Sequence, residues 1–140
     1  MSGDLDTAGL RPFIDGHGYL SWLGLRLESV EVGRVRMCVP ETDTLRNPGP
    51  GRPVHGGITA TLIDTASGFA LRTTFEEPAD ARLATTDLDV SYLRPATGTL
   101  TVEAEVLRAG GTTGVTDVTV ESDAETVAVG RTTYRLFRES

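Results

Sequence analysis

Residues 55–71 have the sequence HGGITATLIDTASGFAL, in which Asp64 is the one formally charged side chain. Apolar residues recur through this stretch at helical spacing, and they predict a long central helix over residues 56–74 with one buried face. They are Ile58, Leu62, Ala66, Phe69 and Ala70. A lone carboxylate among small and apolar residues is costly to bury unless it is hydrogen-bonded or used chemically. Asp64 is therefore the first candidate for a catalytic carboxylate.

Segments of alternating apolar residues flank this helix and predict an antiparallel sheet. The predicted pieces are a helical N-terminal segment over residues 1–22 that is broken at Gly16 and Gly18, a hairpin over 25–39, a Pro- and Gly-rich loop over 42–54, and strands over 83–93, 100–107, 115–120 and 127–137. The turns between the later strands have hairpin spacing. This order predicts an α+β fold whose antiparallel sheet curls around the central helix, in a single domain over residues 1–140.

Composition excludes several function classes. The net charge of −7 disfavours a protein that tracks nucleic-acid phosphates, although all 13 basic residues are Arg and individual guanidinium groups could bind an anionic small molecule. With 2 histidines and a lone cysteine, Cys38, which we expect in the core, no metal site is predicted. The acidic N-terminus leads into no apolar segment, so we expect a cytoplasmic protein without membrane contact.

A family resemblance comes from three groups of residues: Asn47, the run His55-Gly56-Gly57 with Asp64 seven residues after the second glycine, and Tyr92-Leu93-Arg94-Pro95. The chain resembles the PaaI-type hotdog-fold acyl-CoA thioesterases over residues 20–137. The resemblance implies a hotdog fold and hydrolysis of an acyl-CoA thioester to a carboxylic acid and free CoA. CoA is then part of the substrate, and no separate cofactor is implied.

The resemblance also implies a role for each matching residue. Asp64 would activate water or attack the thioester carbonyl directly, and the Gly56 backbone N–H would be the oxyanion donor. Asn47 would fix the carbonyl and the water, His55 would open the motif, and Thr85 would face the acid across a dimer interface. Asn47 stands further before His55 than the corresponding residue of the family usually does. The implied substrate-binding residues are Gly57, Tyr92, Leu93, Arg94, Pro95, Arg108, Gly110, Gly111 and Thr112.

Helix geometry supports the same chemistry without the resemblance. A helix N-terminus offers free N–H donors and a favourable dipole for the oxygen that gains negative charge during thioester hydrolysis. Asp64 follows Gly56 by two turns of the same helix, a rise of roughly 11 Å, so the two cannot serve one carbonyl. Acid and oxyanion donor must come from different subunits. We therefore expect a homodimer as the minimal unit, within a homotetramer.

Several alternatives stay open on the sequence alone. Asp64 could be a structural carboxylate that meets a buried arginine, and Arg94 or Arg108 could simply solvate a strand end. The protein could be a non-catalytic hotdog module that binds acyl-CoA, whereas a dehydratase fits less well because His55 stands nine residues before Asp64. The acyl group is undetermined, and an acyl carrier protein could take the place of CoA.

Overall fold

A computed structural model describes residues 10–138 of the chain. The described part contains three α-helices and six β-strands in the order α1 (Arg11–Gly16), α2 (Gly18–Leu23), β1 (Arg26–Glu31), β2 (Arg34–Val39), α3 (Gly56–Arg72), β3 (Leu83–Tyr92), β4 (Leu100–Ala109), β5 (Thr113–Ser122) and β6 (Glu125–Leu136). Short 3-10 turns lie at Asp43–Leu45 and Pro78–Asp80. No helix within residues 10–138 is long and apolar enough to cross a membrane.

The six strands form one antiparallel sheet in the order β1-β2-β4-β5-β6-β3. Side chains alternate between the two faces along each strand, so one face of the sheet is apolar. This inner face packs on α3. In β4, for example, Leu100, Val102 and Ala104 are buried toward the helix, while Glu105 is exposed. The predicted hotdog arrangement, an antiparallel sheet curled around one long helix, is confirmed.

Two glycines let α3 approach the sheet closely. A Cβ atom at Gly114 of β5 would lie 2.5 Å from Leu71 Cδ2, and one at Gly130 of β6 would lie 2.9 Å from Ile63 Cγ2. Any side chain at these two positions would push the helix away from the strands. The close approach brings the middle of α3, where Asp64 lies, against β6 and the adjacent strand β3.

The helices differ in two places from the sequence prediction. Helix α3 ends at Arg72 rather than residue 74, where the hydroxyls of Thr73 and Thr74 donate to the carbonyls of Ala70 and Leu71. The N-terminal segment is divided into two short helices at His17, which has an extended backbone. The His17 Nδ1 accepts the Leu20 N–H and so caps α2. Residues 1–9 of the predicted segment lie outside the described residues.

Cys38 lies in β2 and is buried, as predicted for a small core residue. Burial raises the pKa of its thiol, and the neighbouring Glu28 raises this pKa further. A raised pKa keeps the thiol protonated and weakly nucleophilic at neutral pH. Nothing in its surroundings therefore suggests a chemical role for Cys38.

The hydroxyls of Thr116 and Thr132, which are partners on β5 and β6, are buried and have no hydrogen-bond acceptor or donor among the described residues. A buried hydroxyl without a partner costs free energy. We expect Thr132→Val to raise the free energy of unfolding by about 1 kcal/mol, as measured by urea denaturation. Thr119→Val on the outer face of β5 is the matched control and should change stability little; destabilisation by Thr132→Val would contradict the prediction.

Candidate functional site

Asp64 is half-buried on α3 and is held by two hydroxyl groups. Thr85 Oγ1 donates to Asp64 Oδ1 at 2.7 Å, and the Tyr134 hydroxyl donates to the same oxygen at 2.5 Å. Asp64 forms no ion pair with the residues that the structure describes, so the alternative of a structural carboxylate neutralised by arginine has no support. Its second oxygen, Oδ2, accepts no hydrogen bond within residues 10–138 and is left for a ligand or water.

A bulge in β3 places Thr85 in this contact, which lies within one protomer and not across a dimer interface as the sequence led us to expect. Thr85 pairs with Tyr134 of β6, and Asp87 pairs with Thr133, so Thr86 is an extra residue in the ladder. Bulges of this kind re-aim side chains and are common beside functional sites. Here the register puts Thr85 and Tyr134 side by side on the inner face of the sheet, directly under Asp64.

Tyr134 is a site residue that the sequence reasoning did not find. Its side chain is only 4% exposed, and its hydroxyl lies 2.6 Å from the Asp64 carbonyl as well as on the carboxylate. Burial raises the pKa of Tyr134, and the hydrogen bond to Asp64 raises it further, so the phenol stays a donor at neutral and alkaline pH. The sequence did contain an indication of this role. The alternation of β6 puts Tyr134 on the buried face, and a buried tyrosine hydroxyl needs a hydrogen-bond partner.

The helix mouth, residues 55–57, has one free donor. His55 is the N-cap of α3, and its Nδ1 accepts the Gly57 N–H at 2.8 Å. The Gly56 N–H has no acceptor among the described residues, while the Gly56 carbonyl accepts the Tyr92 hydroxyl at 2.6 Å. The predicted oxyanion donor is thus the one glycine N–H of the mouth that the protein leaves unpaired.

A cleft of about 300 Å³ opens at this mouth. Five of the predicted residues line this cleft: Gly56, Tyr92, Leu93, Arg94 and Pro95. The rest of the lining is Pro53, Val54, Thr59, Ala96 and Val127. Arg94 Nη1 donates to the Thr126 carbonyl, which fixes the guanidinium group at the edge of the cleft.

Asn47 lies beside this cleft but is held only through its backbone. Its N–H donates to the Pro53 carbonyl at 2.8 Å, next to the isolated bridge between Arg46 and Val54. No hydrogen bond of the Asn47 side chain occurs within the described part of the chain. The structure therefore places Asn47 near the helix mouth without assigning it a contact.

The remaining predicted substrate residues lie at the other end of α3. Arg108, Gly110, Gly111 and Thr112 surround the turn between β4 and β5, and Gly114, just after this turn, packs on Leu71 near the C-terminus of the helix. The 17 residues of α3 span roughly 25 Å. In one protomer, the two predicted halves of the substrate site are therefore at opposite ends of the same helix.

The same separation applies to the catalytic candidates. Gly56 and Asp64 lie on one helix, roughly 11–12 Å apart along its axis. A thioester carbonyl held at the Gly56 N–H cannot touch the carboxylate of the same chain.

Comparison with known proteins agrees with this fold. Residues 53–129 match the family model described as the thioesterase superfamily. A Halobacterium salinarum protein named as an esterase is 46% identical over 99% of both chains, and human acyl-coenzyme A thioesterase 13 is 36% identical over 59% of this chain and 60% of its own. The structure of PaaI from the phenylacetic acid degradation operon of E. coli has the same fold, with a TM-score of 0.85 over 100% of this chain and 99% of its own at 21% identity. The resemblance drawn from the sequence is thereby confirmed.

Proposed function

This chain belongs to the thioesterase superfamily, and from that premise we propose that it hydrolyses acyl-CoA thioesters to a carboxylic acid and free CoA. The observation that carries the proposal is the state of Asp64. One carboxylate oxygen is fixed by Thr85 and Tyr134, whereas the other is unengaged within the described residues. A half-buried carboxylate with one fixed and one available oxygen is suited to act as a general base or a nucleophile.

The complete site requires two subunits. Within residues 10–138, strand β3 pairs with β6 alone, so its ten residues form one open edge of the sheet, and residues 84–89 are all exposed. An uncovered edge of this length is suited to pair with another strand. Antiparallel pairing of β3 with its copy would bring the start of one strand, near Thr85 and Asp64, to the end of the other, near Tyr92 and the Gly56 cleft. The dimer is thus the minimal catalytic unit, and a tetramer of two such dimers is the expected assembly.

The chemistry follows from this arrangement. The thioester carbonyl oxygen accepts the Gly56 N–H of one subunit at the positive end of the helix dipole. Asp64 Oδ2 of the other subunit takes a proton from a water molecule, whose oxygen forms a bond to the carbonyl carbon. When the tetrahedral intermediate collapses, the carbon–sulfur bond breaks and the thiolate of CoA receives the proton from Asp64. If Asp64 itself attacks the carbonyl carbon, the carbon–sulfur bond breaks, the CoA thiolate leaves and takes a proton from water, and a second water molecule hydrolyses the resulting mixed anhydride to the carboxylic acid and the free Asp64 carboxylate.

The Arg residues are suited to the phosphorylated carrier. Arg94 lies at the cleft, and Arg108 lies at the β4–β5 turn that the dimer would bring to the cleft of the partner. A guanidinium group binds phosphate oxygens in bidentate fashion. CoA and the phosphopantetheine arm of an acyl carrier protein share that phosphate chemistry, and CoA is the form that we propose.

A thiol-release assay tests the function against its main alternative, a module that binds acyl-CoA without turnover. The purified protein is incubated with acetyl-CoA, hexanoyl-CoA and phenylacetyl-CoA, and free CoA is measured with a thiol reagent. We expect release of CoA that is proportional to enzyme concentration with at least one of the three. Saturable binding of acyl-CoA without any release of CoA would establish the binding module instead.

Tyr134 should act as a positioning residue for Asp64. Tyr134→Phe removes one of the two hydroxyls that fix Oδ1. We expect kcat to fall roughly 10-fold to 100-fold, because small displacements of a catalytic group are costly, while KM changes little. Steady-state kinetics give both constants. Thr85→Ser, which keeps its hydroxyl, is the matched control on the second donor; an unchanged kcat in Tyr134→Phe would show that Asp64 does not need this contact.

A further inference from the structure

Helix α2 carries two large aromatic side chains on its outer side. Tyr19 and Trp22 stack with ring centroids 6.3 Å apart and an angle of 17° between the planes. They are 45% and 62% exposed, whereas Leu20 and Leu23 of the same helix are buried. The buried leucines fix the orientation of the helix, so the aromatic pair is held in place although its outer surface is uncovered in the protomer.

A hydrogen-bond chain attaches this pair to the proposed active site. The Tyr19 hydroxyl lies 2.9 Å from Thr61 Oγ1, and Thr61 Oγ1 donates to the Gly57 carbonyl at 2.9 Å. Since that bond uses the Thr61 proton, Tyr19 is the donor to Thr61. Thr61 follows Gly57 by four residues and precedes Asp64 by three, so these residues share one side of α3. The aromatic pair therefore adjoins the side of α3 that runs from the helix mouth to Asp64.

We propose that Tyr19 and Trp22 form the binding surface for the acyl group, and that the preferred substrates are thioesters with an apolar acyl group clearly larger than acetyl. This inference rests on the proposed function. The carbonyl carbon carries two substituents, a phosphorylated carrier and the acyl chain. The cleft at the mouth and the β4–β5 turn supply guanidinium groups for the carrier, whereas the Tyr19–Trp22 pair offers ring faces that suit an apolar chain.

The acyl chain is the occupant that the geometry favours because the aromatic pair is hydrogen-bonded to the first turns of α3, where the proposed site begins. The link through Thr61 reaches the Gly57 carbonyl, in the first turn of α3, next to the free Gly56 N–H. A second copy of the chain packed on the same rings is the competing occupant, and the experiments below separate the two.

Trp22 is the single tryptophan of the sequence, so its fluorescence reports this surface directly. The full-length Asp64→Asn variant, in which turnover is blocked, is titrated with hexanoyl-CoA and, separately, with free CoA. We expect a saturable blue shift or quench of Trp22 emission with hexanoyl-CoA and little change with CoA. An equal response to both ligands, or no response to hexanoyl-CoA when calorimetry detects its binding, would overturn the proposal.

Kinetics provide the second test. Trp22→Ala should lower the ratio of kcat/KM for hexanoyl-CoA to kcat/KM for acetyl-CoA by roughly tenfold or more, because the acyl chain loses its apolar contact. Phe137→Ala, which removes an exposed ring at the far end of β6, is the matched control and should leave the ratio unchanged. Light scattering should give the same particle mass for both variants.

The outcomes are distinguishable from failure of the proposed function. A wild-type protein that turns over neither thioester refutes the hydrolase itself. If wild type and Trp22→Ala hydrolyse the thioesters with the same preference for hexanoyl-CoA over acetyl-CoA, only the role of Tyr19 and Trp22 in binding the acyl group is refuted. Equal losses on both thioesters together with a smaller particle would show that Trp22 contacts another subunit, which also overturns the proposal.

Discussion

Replacing Asp64 with asparagine is expected to lower kcat for thioester hydrolysis by about 10²-fold to 10⁴-fold, the usual contribution of a general base. Asparagine cannot take a proton from water or attack the carbonyl as a carboxylate does. Its amide oxygen can still accept the hydroxyls of Thr85 and Tyr134, so the fold and the binding of acyl-CoA should be retained. Thiol release measures the rate, and calorimetry with acyl-CoA measures the binding.

The matched control for this variant is Asp80→Asn, which removes an exposed carboxylate from the 3-10 turn at Pro78–Asp80. It should keep wild-type kinetics. Denaturation with urea should show that Asp64→Asn unfolds within about 1 kcal/mol of wild type, because both hydrogen bonds have an acceptor. Hydrolysis by Asp64→Asn at the wild-type rate would refute the catalytic assignment of this residue.

Replacing Gly56 with proline should remove the oxyanion donor and little else. Proline is tolerated at the first position of a helix, and the preceding His55 has φ −56° and ψ 132°, a conformation that a following proline permits. The Gly56 N–H has no partner among the described residues, so the protomer loses no hydrogen bond. We expect kcat to fall about 10²-fold to 10³-fold, as when one oxyanion donor is removed.

Gly56→Ala is the control, because it adds the same Cβ atom but keeps the N–H. That Cβ would lie 3.3 Å from the ring of Tyr92, an exposed side chain that can yield slightly. Gly56→Ala should therefore lose activity only a few-fold. If alanine and proline lower kcat equally, the loss comes from the displaced Tyr92, and the Gly56 N–H is not the oxyanion donor.

The two inactive variants together test whether the site is shared. When Asp64→Asn and Gly56→Pro chains are unfolded, mixed equally and refolded, half of the dimers are mixed, and each has one intact site. Activity should return to about a quarter of the wild-type value. No recovery in a verified mixed dimer would show that Gly56 and Asp64 of different chains do not act together.

Much of the fold was predictable because its determinants are local. The alternation in β4 and the helical spacing in α3 can be read from side-chain periodicity alone. Gly114 and Gly130, which have no side chain, fit the close contact between helix and sheet. The interruption at Gly16 and Gly18 was predicted, but the second short helix was not, because a short helix and its cap depend on one side-chain contact. Helix α3 ended early because the hydroxyls of Thr73 and Thr74 bond to the last turn, and the periodicity of apolar residues contains no information about that competition.

The candidate site was predictable only in part. Asp64, Gly56 and Thr85 were identified from the charge pattern, the paired glycines and the family resemblance. The structure joins Thr85 to Asp64, but within one protomer and not across an interface. Tyr134 was missed because it lies 70 residues from Asp64 along the chain and meets it only through the bulged register of β3 with β6. The turn at residues 108–112 was grouped with the cleft, yet within a protomer the length of α3 separates the two.

A lone carboxylate on a long buried helix that begins with two glycines could be read from residues 55–71 alone, because charge and periodicity are properties of neighbouring residues. The surroundings of that carboxylate could not, because they come from strands far away in the chain. The pairing of Thr85 with Tyr134 and the contact of both hydroxyls with Asp64 depend on strand register, which is fixed when distant strands meet. The same packing leaves β3 as an open edge, because the sheet ends at β3 and no other strand of the described residues pairs with it there.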